Sequence, residues 1–182
     1  ELVRDGKAVI GHNRKKTYGE INDENAHPFV VNGEFAMVHN GTLRNHDKLA
    51  KTNVDSEALA IHLHKAFEDD NDTAAIEKAL GEVEGAYAVA MYDQRVNKVR
   101  LLRNDERPLC YVQCNNAWFF ASEAASLWWI MSRNGYDQKD WETKWLAPHT
   151  LIEFDLDLDS VVERKLTVKK YTPPSNTANT SG

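Results

Sequence analysis

Apolar residues fall into short strand-like runs and two stretches of helical period, separated by Asn-Gly and Asn-Asn pairs. The run Phe35-Ala36-Met37-Val38 reads as a buried strand that breaks at Asn40-Gly41. Residues 42–50 do not alternate like a return strand and read as a short helix. Upstream, Phe29-Val30-Val31 and the Asn32-Gly33 pair supply the first arm and the turn of a hairpin. Residues 7–13 predict an earlier strand, and the polar residues 14–28 a loop long enough to suspect a binding role.

From Asp55 the period lengthens. Ala58, Leu59, Ile61, Leu63 and Phe67 form a helical stripe, with His62, His64, Lys65 and Glu68 outside it and Asp55 at the N-cap position. A second helix over about 73–83 turns Ala75, Ile76, Leu80 and Val83 inward. Residues 85–92 read as a strand buried on both faces, and 98–103 as its return. Residues 108–112 and 117–121 pair around Asn115-Asn116, 123–132 form a helix, and 151–155 and 161–171 are the closing strands. Residues 172–182, rich in Pro, Ser, Thr, Asn and Gly, are expected to be a flexible tail or linker behind one domain at 1–171. Hairpin-linked strands with clustered helices indicate an α+β fold rather than a parallel sheet.

Composition narrows the function. Apolar residues at 42% and charged residues at 27% are those of a globular domain with a real core. The net charge of −6 and the short basic cluster Arg14-Lys15-Lys16 give no footprint for nucleic acid or anionic membrane. No apolar run approaches the roughly twenty residues that span a bilayer, and no signal peptide is expected. Cys110 and Cys114, the only cysteines, read as structural or incidental thiols in a reducing cytoplasm. His39, His62 and His64 do not form a metal set, because His62 and His64 lie two apart on a helix. The five tryptophans read as core or interface aromatics.

Asn40-Gly41 is the stretch with chemistry in it. Read alone it is either a type I′ turn or a strand end offering an amide and an unhindered N–H to an oxyanion. Read singly, Arg14 is a solvated cation beside two lysines, Asp55 a helix cap and His27 a loop residue. Their order changes the picture. Gly11-His12-Asn13-Arg14-Lys15-Lys16-Thr17-Tyr18-Gly19, Asn25-Ala26-His27-Pro28, Val38-His39-Asn40-Gly41, Asp55-Ser56-Glu57, Gly85-Ala86-Tyr87-Ala88, Arg107-Pro108-Leu109 and Ala121-Ser122-Glu123 follow one another. This series, over residues 11 to about 153, resembles the glutaminase domain of class II (N-terminal nucleophile) glutamine amidotransferases. That domain is shared by glucosamine-phosphate synthase and glutamine phosphoribosylpyrophosphate amidotransferase.

The resemblance implies a four-layer αββα sandwich of mainly antiparallel sheets, lacking its first strands, and hydrolysis of L-glutamine to glutamate and ammonia without metal or organic cofactor. It implies that Asn40 and Gly41 form the oxyanion hole, that Arg14 holds the α-carboxylate and Asp55 the α-ammonium, and that Thr17, Tyr18 and His27 line or order the glutamine loop. Ammonia in such proteins passes to a synthase domain or subunit. The family nucleophile is an N-terminal cysteine, whereas Glu1 stands at position 1, so the chain is expected to lack an N-terminal segment and to be inactive as this fragment. Lys15 and Lys16 replace an aromatic-then-small pair, and Tyr18 stands where the aminosugar branch has histidine, so loop closure is expected to differ. The competing expectation is a non-catalytic amidotransferase-like binding or scaffold domain.

Overall fold

The computed structural model describes residues 6–12, 26–69 and 72–169. In chain order the elements are β1 (Phe29–Val31), β2 (Phe35–Leu43), α1 (His46–Leu49), α2 (Asp55–Ala66), α3 (Thr73–Glu82), β3 (Gly85–Asp93) and β4 (Lys98–Arg103). They continue with β5 (Cys110–Cys114), β6 (Ala117–Ala121), α4 (Ala124–Arg133), β7 (Lys144–Trp145), β8 (Thr150–Asp155) and β9 (Ser160–Lys165). A six-stranded sheet runs β1-β2-β3-β4-β8-β9 and a three-stranded sheet runs β6-β5-β7. Every strand pair is antiparallel.

Three apolar clusters fill the spaces between four layers. Phe35, Met37, Val89, Met91 and Leu102 meet Leu59, Leu63, Ile76 and Leu80 where α2 and α3 cover the large sheet. On its other face Val38, Ala88, Ala90, Leu101 and Ile152 meet Leu109 and Leu146 from the small-sheet side. Cys110, Val112 and Cys114 then meet Leu127 and Met131 of α4. Alternation along β2 and β3 makes this possible: odd positions face the helices and even ones face the second sheet. β3 is buried along nearly its whole length because it has a layer on each face. The expected α+β sandwich of antiparallel sheets is what the chain forms.

Asn32 and Gly33 both adopt positive φ, so the β1–β2 connection is the tight turn that an Asn-Gly pair between apolar runs predicts. Several other expectations change. Residues 7–12 form no strand; Ile10 instead packs against the cluster between the sheets. β2 does not stop at Asn40-Gly41 but continues to Leu43, held by β3 as far as Leu43 opposite Gly85. The helix expected over 42–50 shrinks to His46–Leu49 for the same reason.

On α2, Ile61 is exposed at 37% while His64 is buried, bonded to Glu34 Oε1 at 2.9 Å and edge-on to Phe35. Ala58, Leu59, Leu63 and Phe67 of the expected stripe are buried, and only Ile61 and His64 exchange places. Ala75 and Val83 are only half-buried on and after α3; Ile76, Ala79 and Leu80 carry its core contact. β9 ends at Lys165, where Leu166 donates its N–H to the His149 carbonyl at 2.8 Å and turns its side chain into the helix-side core. Of the tryptophans, Trp141 is buried beneath α4, whereas Trp128, Trp129 and Trp145 are surface residues. The expected boundary at 171 and the tail lie outside the described residues.

Candidate functional site

β2 carries His39, Asn40 and Gly41 in consecutive positions, and its pairing with β3 sets their directions. Asn40 lies opposite Ala88, and Gly41 opposite Tyr87. Tyr87 spends both main-chain groups on the β4 side: its N–H donates to Asn104 Oδ1 at 3.2 Å and its carbonyl accepts from Asn104 N at 3.0 Å. In an antiparallel ladder the Gly41 N–H must then point the opposite way, to the outer edge of β2. β1 covers that edge only as far as Met37, which pairs with Phe29. Gly41 therefore presents its N–H beyond the end of the neighbouring strand.

Asp55 occupies the same edge. Its Oδ2 accepts the N–H of Leu43 at 3.0 Å, and its Oδ1 accepts the N–H of Ser56 at 2.8 Å. The expected cap role is not what it performs: the N-cap is Val54, and Asp55 is the first helical residue. Leu43 and Gly41 are two positions apart, so their N–H groups lie on one edge about 7 Å apart. The carboxylate on Leu43 and the N–H of Gly41 thus stand one pleat repeat from each other. Asn40, Gly41 and Asp55 are all half-buried, within reach of a small molecule.

Local packing fixes this edge. Asn45 is buried just after β2, where its Nδ2 donates to the Glu82 carbonyl and its Oδ1 accepts from Glu84 N, both at 2.9 Å. These bonds tie the exit of β2 to the α3–β3 connection. Gly41 itself is demanded by close approach. At φ +156° a Cβ would press on the Ala86 carbonyl and lie 2.6 Å from both its carbon and His39 Nε2.

His39, buried beneath Gly41, was not assigned a role by sequence reasoning. Its Nε2 lies 3.2 Å from the Ala86 carbonyl oxygen and its Nδ1 lies 2.9 Å from Ser56 Oγ. A carbonyl only accepts, so Nε2 carries the proton and Nδ1 accepts the Ser56 hydroxyl proton. Burial pushes the His39 pKa down; His12 and Arg107 push the same way, against the Ala86 bond and the Asp55 charge. Because the folded value lies below the unfolded one near 6.5, this residue's contribution to stability is complete above about pH 6.5 and declines as pH falls toward the folded value. Melting temperatures followed from about pH 8 to about pH 5 are expected to fall less steeply for His39→Gln than for wild type. Parallel slopes would contradict that assignment.

The His27 ring lies 4.4 Å from that of His12, tilted by 44°, and meets Phe29 edge-on at 4.9 Å. It therefore stands beside the segment that leads into residues 13–25. Arg14, Thr17 and Tyr18 lie outside the described residues. Cys110 and Cys114 are free thiols buried in the small sheet beneath α4, and burial raises the Cys110 pKa, so neither is placed or poised as a nucleophile. Among the described residues no group of three or more His, Cys, Asp or Glu side chains is arranged for a metal ion.

Two stacked antiparallel sheets between helical layers, with this strand edge at one end, define a class. The chain belongs to the glutamine amidotransferase domain family, whose model matches residues 12–128. It is 31% identical over 133 residues to glutamine–fructose-6-phosphate aminotransferase of Legionella pneumophila (strain Paris), a match covering 67% of this chain and 22% of that protein. The corresponding protein of Lactococcus lactis is 33% identical over 117 residues, covering 57% and 19%. The chain thus spans about a fifth of the length of the curated relatives it matches.

Among solved structures, glutamine phosphoribosylpyrophosphate amidotransferase from B. subtilis shares the fold with a TM-score of 0.58 at 18% identity, over 85% of this chain and 35% of that one. A glutamine aminotransferase class-II domain protein from Silicibacter pomeroyi gives 0.54 at 16%, over 80% and 73%. The resemblance read from the ordered motifs and these comparisons agree on the family and on the N-terminal-nucleophile type of fold.

Proposed function

We propose that this domain binds L-glutamine along the edge of β2 beyond Met37 and serves the hydrolysis of its side-chain amide to glutamate and ammonia. The observation that carries the reading is the alignment of the Gly41 N–H with the Leu43-bound Asp55 carboxylate on one strand edge. Asp55 pairs with the α-ammonium, and the spacing of one pleat repeat suits an extended glutamine whose amide oxygen reaches Gly41. Attack by a thiolate on the amide carbon moves charge onto that oxygen, where the Gly41 N–H and the Asn40 amide stabilise it. Ammonia then leaves, and water cleaves the resulting thioester to glutamate.

The reaction calls for a thiolate, and neither Cys110 nor Cys114, both buried in the small sheet, is placed to supply it. Arg14 takes the α-carboxylate, with Thr17, Tyr18 and His27 ordering the loop over the substrate. A synthase domain or subunit receives the ammonia; the relatives' names, glutamine–fructose-6-phosphate aminotransferase, describe an amino transfer from glutamine in those proteins. The two free thiols suit a reducing cytoplasm.

Isothermal titration with L-glutamine tests the reading. Wild type is expected to bind, and Asp55→Asn to bind about a hundredfold more weakly, the effect of removing one partner from a charge pair. Absence of binding, or equal affinity in the variant, would remove glutamine from the account.

A further inference from the structure

The oxyanion donors and the ammonium-binding carboxylate belong to different elements, β2 and α2, and one buried side chain touches the support of both. His39 lies directly under Gly41, where a Cβ on that glycine would come within 2.6 Å of its Nε2. The same nitrogen donates to the carbonyl of Ala86 on β3, across the ladder from Thr42. The other ring nitrogen, Nδ1, accepts the hydroxyl of Ser56, itself 94% buried, at 2.9 Å. Ser56 is the residue whose N–H holds Asp55 Oδ1 at 2.8 Å. Its hydroxyl also lies 3.5 Å from that oxygen, but it has one proton, and the shorter approach to His39 takes it. The bond to His39 thereby fixes Ser56, and with it the N–H on which Asp55 Oδ1 rests.

We propose that His39, acting through Ser56, is the positioning residue that sets the Asp55 carboxylate relative to the Gly41 N–H. This rests on the glutamine reading given above. His39 and Ser56 do not touch substrate. They fix how far the carboxylate stands from the strand edge and in which direction its open lone pairs face. Neither residue is distinguished by the pattern of apolar positions. His39 looks like a polar interruption of a strand, and Ser56 like a filler beside Asp55. Only the register that puts positions 39 and 41 on one face of β2 brings them together beneath the site.

Two variants break the same hydrogen bond from opposite ends. Ser56→Ala removes the hydroxyl, while His39→Gln keeps a donor for Ala86 and loses the acceptor for Ser56. L-glutamine and glutaramate, the analogue without the α-amino group, are titrated into the full chain, alongside melting temperatures. Ser56→Ala is expected to weaken glutamine about tenfold, within the range of one hydrogen bond in a charged network. Glutaramate, which has no ammonium for Asp55, is expected to bind the variant as it binds wild type. The double variant is expected to lose no more than either single one, because both act on one bond.

Equal losses for glutamine and glutaramate would assign His39 and Ser56 a merely structural role and overturn the proposal. So would unchanged glutamine binding in a Ser56→Ala protein whose Asp55→Asn counterpart does not bind; that result leaves the glutamine reading standing. Wild type that fails to bind glutamine, or binds it equally after Asp55→Asn, brings down both. If His39→Gln does not fold, the comparison of the two ligands on Ser56→Ala decides alone.

Discussion

Arg100→Met is expected to lower the unfolding free energy by about 3 kcal/mol, the cost of taking the buried cation from two carboxylates that each keep only one arginine at the rim. Arg100 on β4 is fully buried between Asp93 on β3 and Glu153 on β8, with N–O distances of 3.1 and 2.9 Å. Its guanidinium also lies over the Phe67 ring at 4.5 Å, so one side chain joins three strands to the end of α2. Arg95 and Arg164 pair with the same two carboxylates from the partly exposed rim, at 2.8 Å each. Methionine keeps most of the volume and the contact with Phe67, so the loss measures charge rather than packing.

The pH dependence separates this from a cavity effect. Burial pushes the Asp93 carboxyl up, but the hydrogen bonds and charges of Arg95 and Arg100 outweigh it and hold it below the ordinary carboxylate value. That stabilisation is complete above the unfolded value near 3.9 and is lost as pH falls through the lower folded one. Denaturant midpoints are therefore expected to converge for wild type and Arg100→Met in acid. A constant gap, or a variant within about 0.5 kcal/mol of wild type at neutral pH, would show that the ion network does not hold these strands.

Gly41→Ala is expected to cost about 4 kcal/mol, combining backbone strain with a forced contact. Its Cβ would meet the Ala86 carbonyl, which cannot withdraw without opening the β2–β3 ladder where Thr42 faces Ala86, and His39 Nε2, which cannot withdraw without breaking its bond to Ala86. Gly33→Ala is the control: Gly33 also has positive φ, but a Cβ there meets nothing within 4 Å. About 1–2 kcal/mol is expected at that position, from φ alone. Chemical denaturation of both variants checks the contrast. A Gly41→Ala protein no less stable than Gly33→Ala would mean that β2 and β3 are not fixed in this register at the site.

Much of the fold was legible because its signals are local. The Asn32-Gly33 turn lies between apolar runs, β4 and β6 each follow a turn with asparagine at positive φ, and β3 is apolar on both faces because a layer covers each. The extent of β2 was not legible. Gly41 has weak strand propensity, and what keeps it extended is pairing with Tyr87, forty-six positions away. On α2 the stripe of Ala58, Leu59, Leu63 and Phe67 is as expected, and His64 joins it because it bonds to Glu34, a partner that helical periodicity cannot show. At the site, Asn40, Gly41 and Asp55 were found through the order of short motifs rather than through any one of them. His39 and Ser56 stayed hidden because their meaning depends on the bond between them.

The central claim is that glutamine lies along the edge of β2 between Gly41 and Asp55. Amide NMR shifts recorded while L-glutamine is added to the isotopically labelled chain, up to about 10 mM and so beyond the usual range of substrate affinity, test it most directly. The account predicts saturable shifts of the Gly41, Leu43 and Ser56 amides, with the amides of α4 unmoved. Shifts confined to α4, or none at the β2 edge, would contradict it.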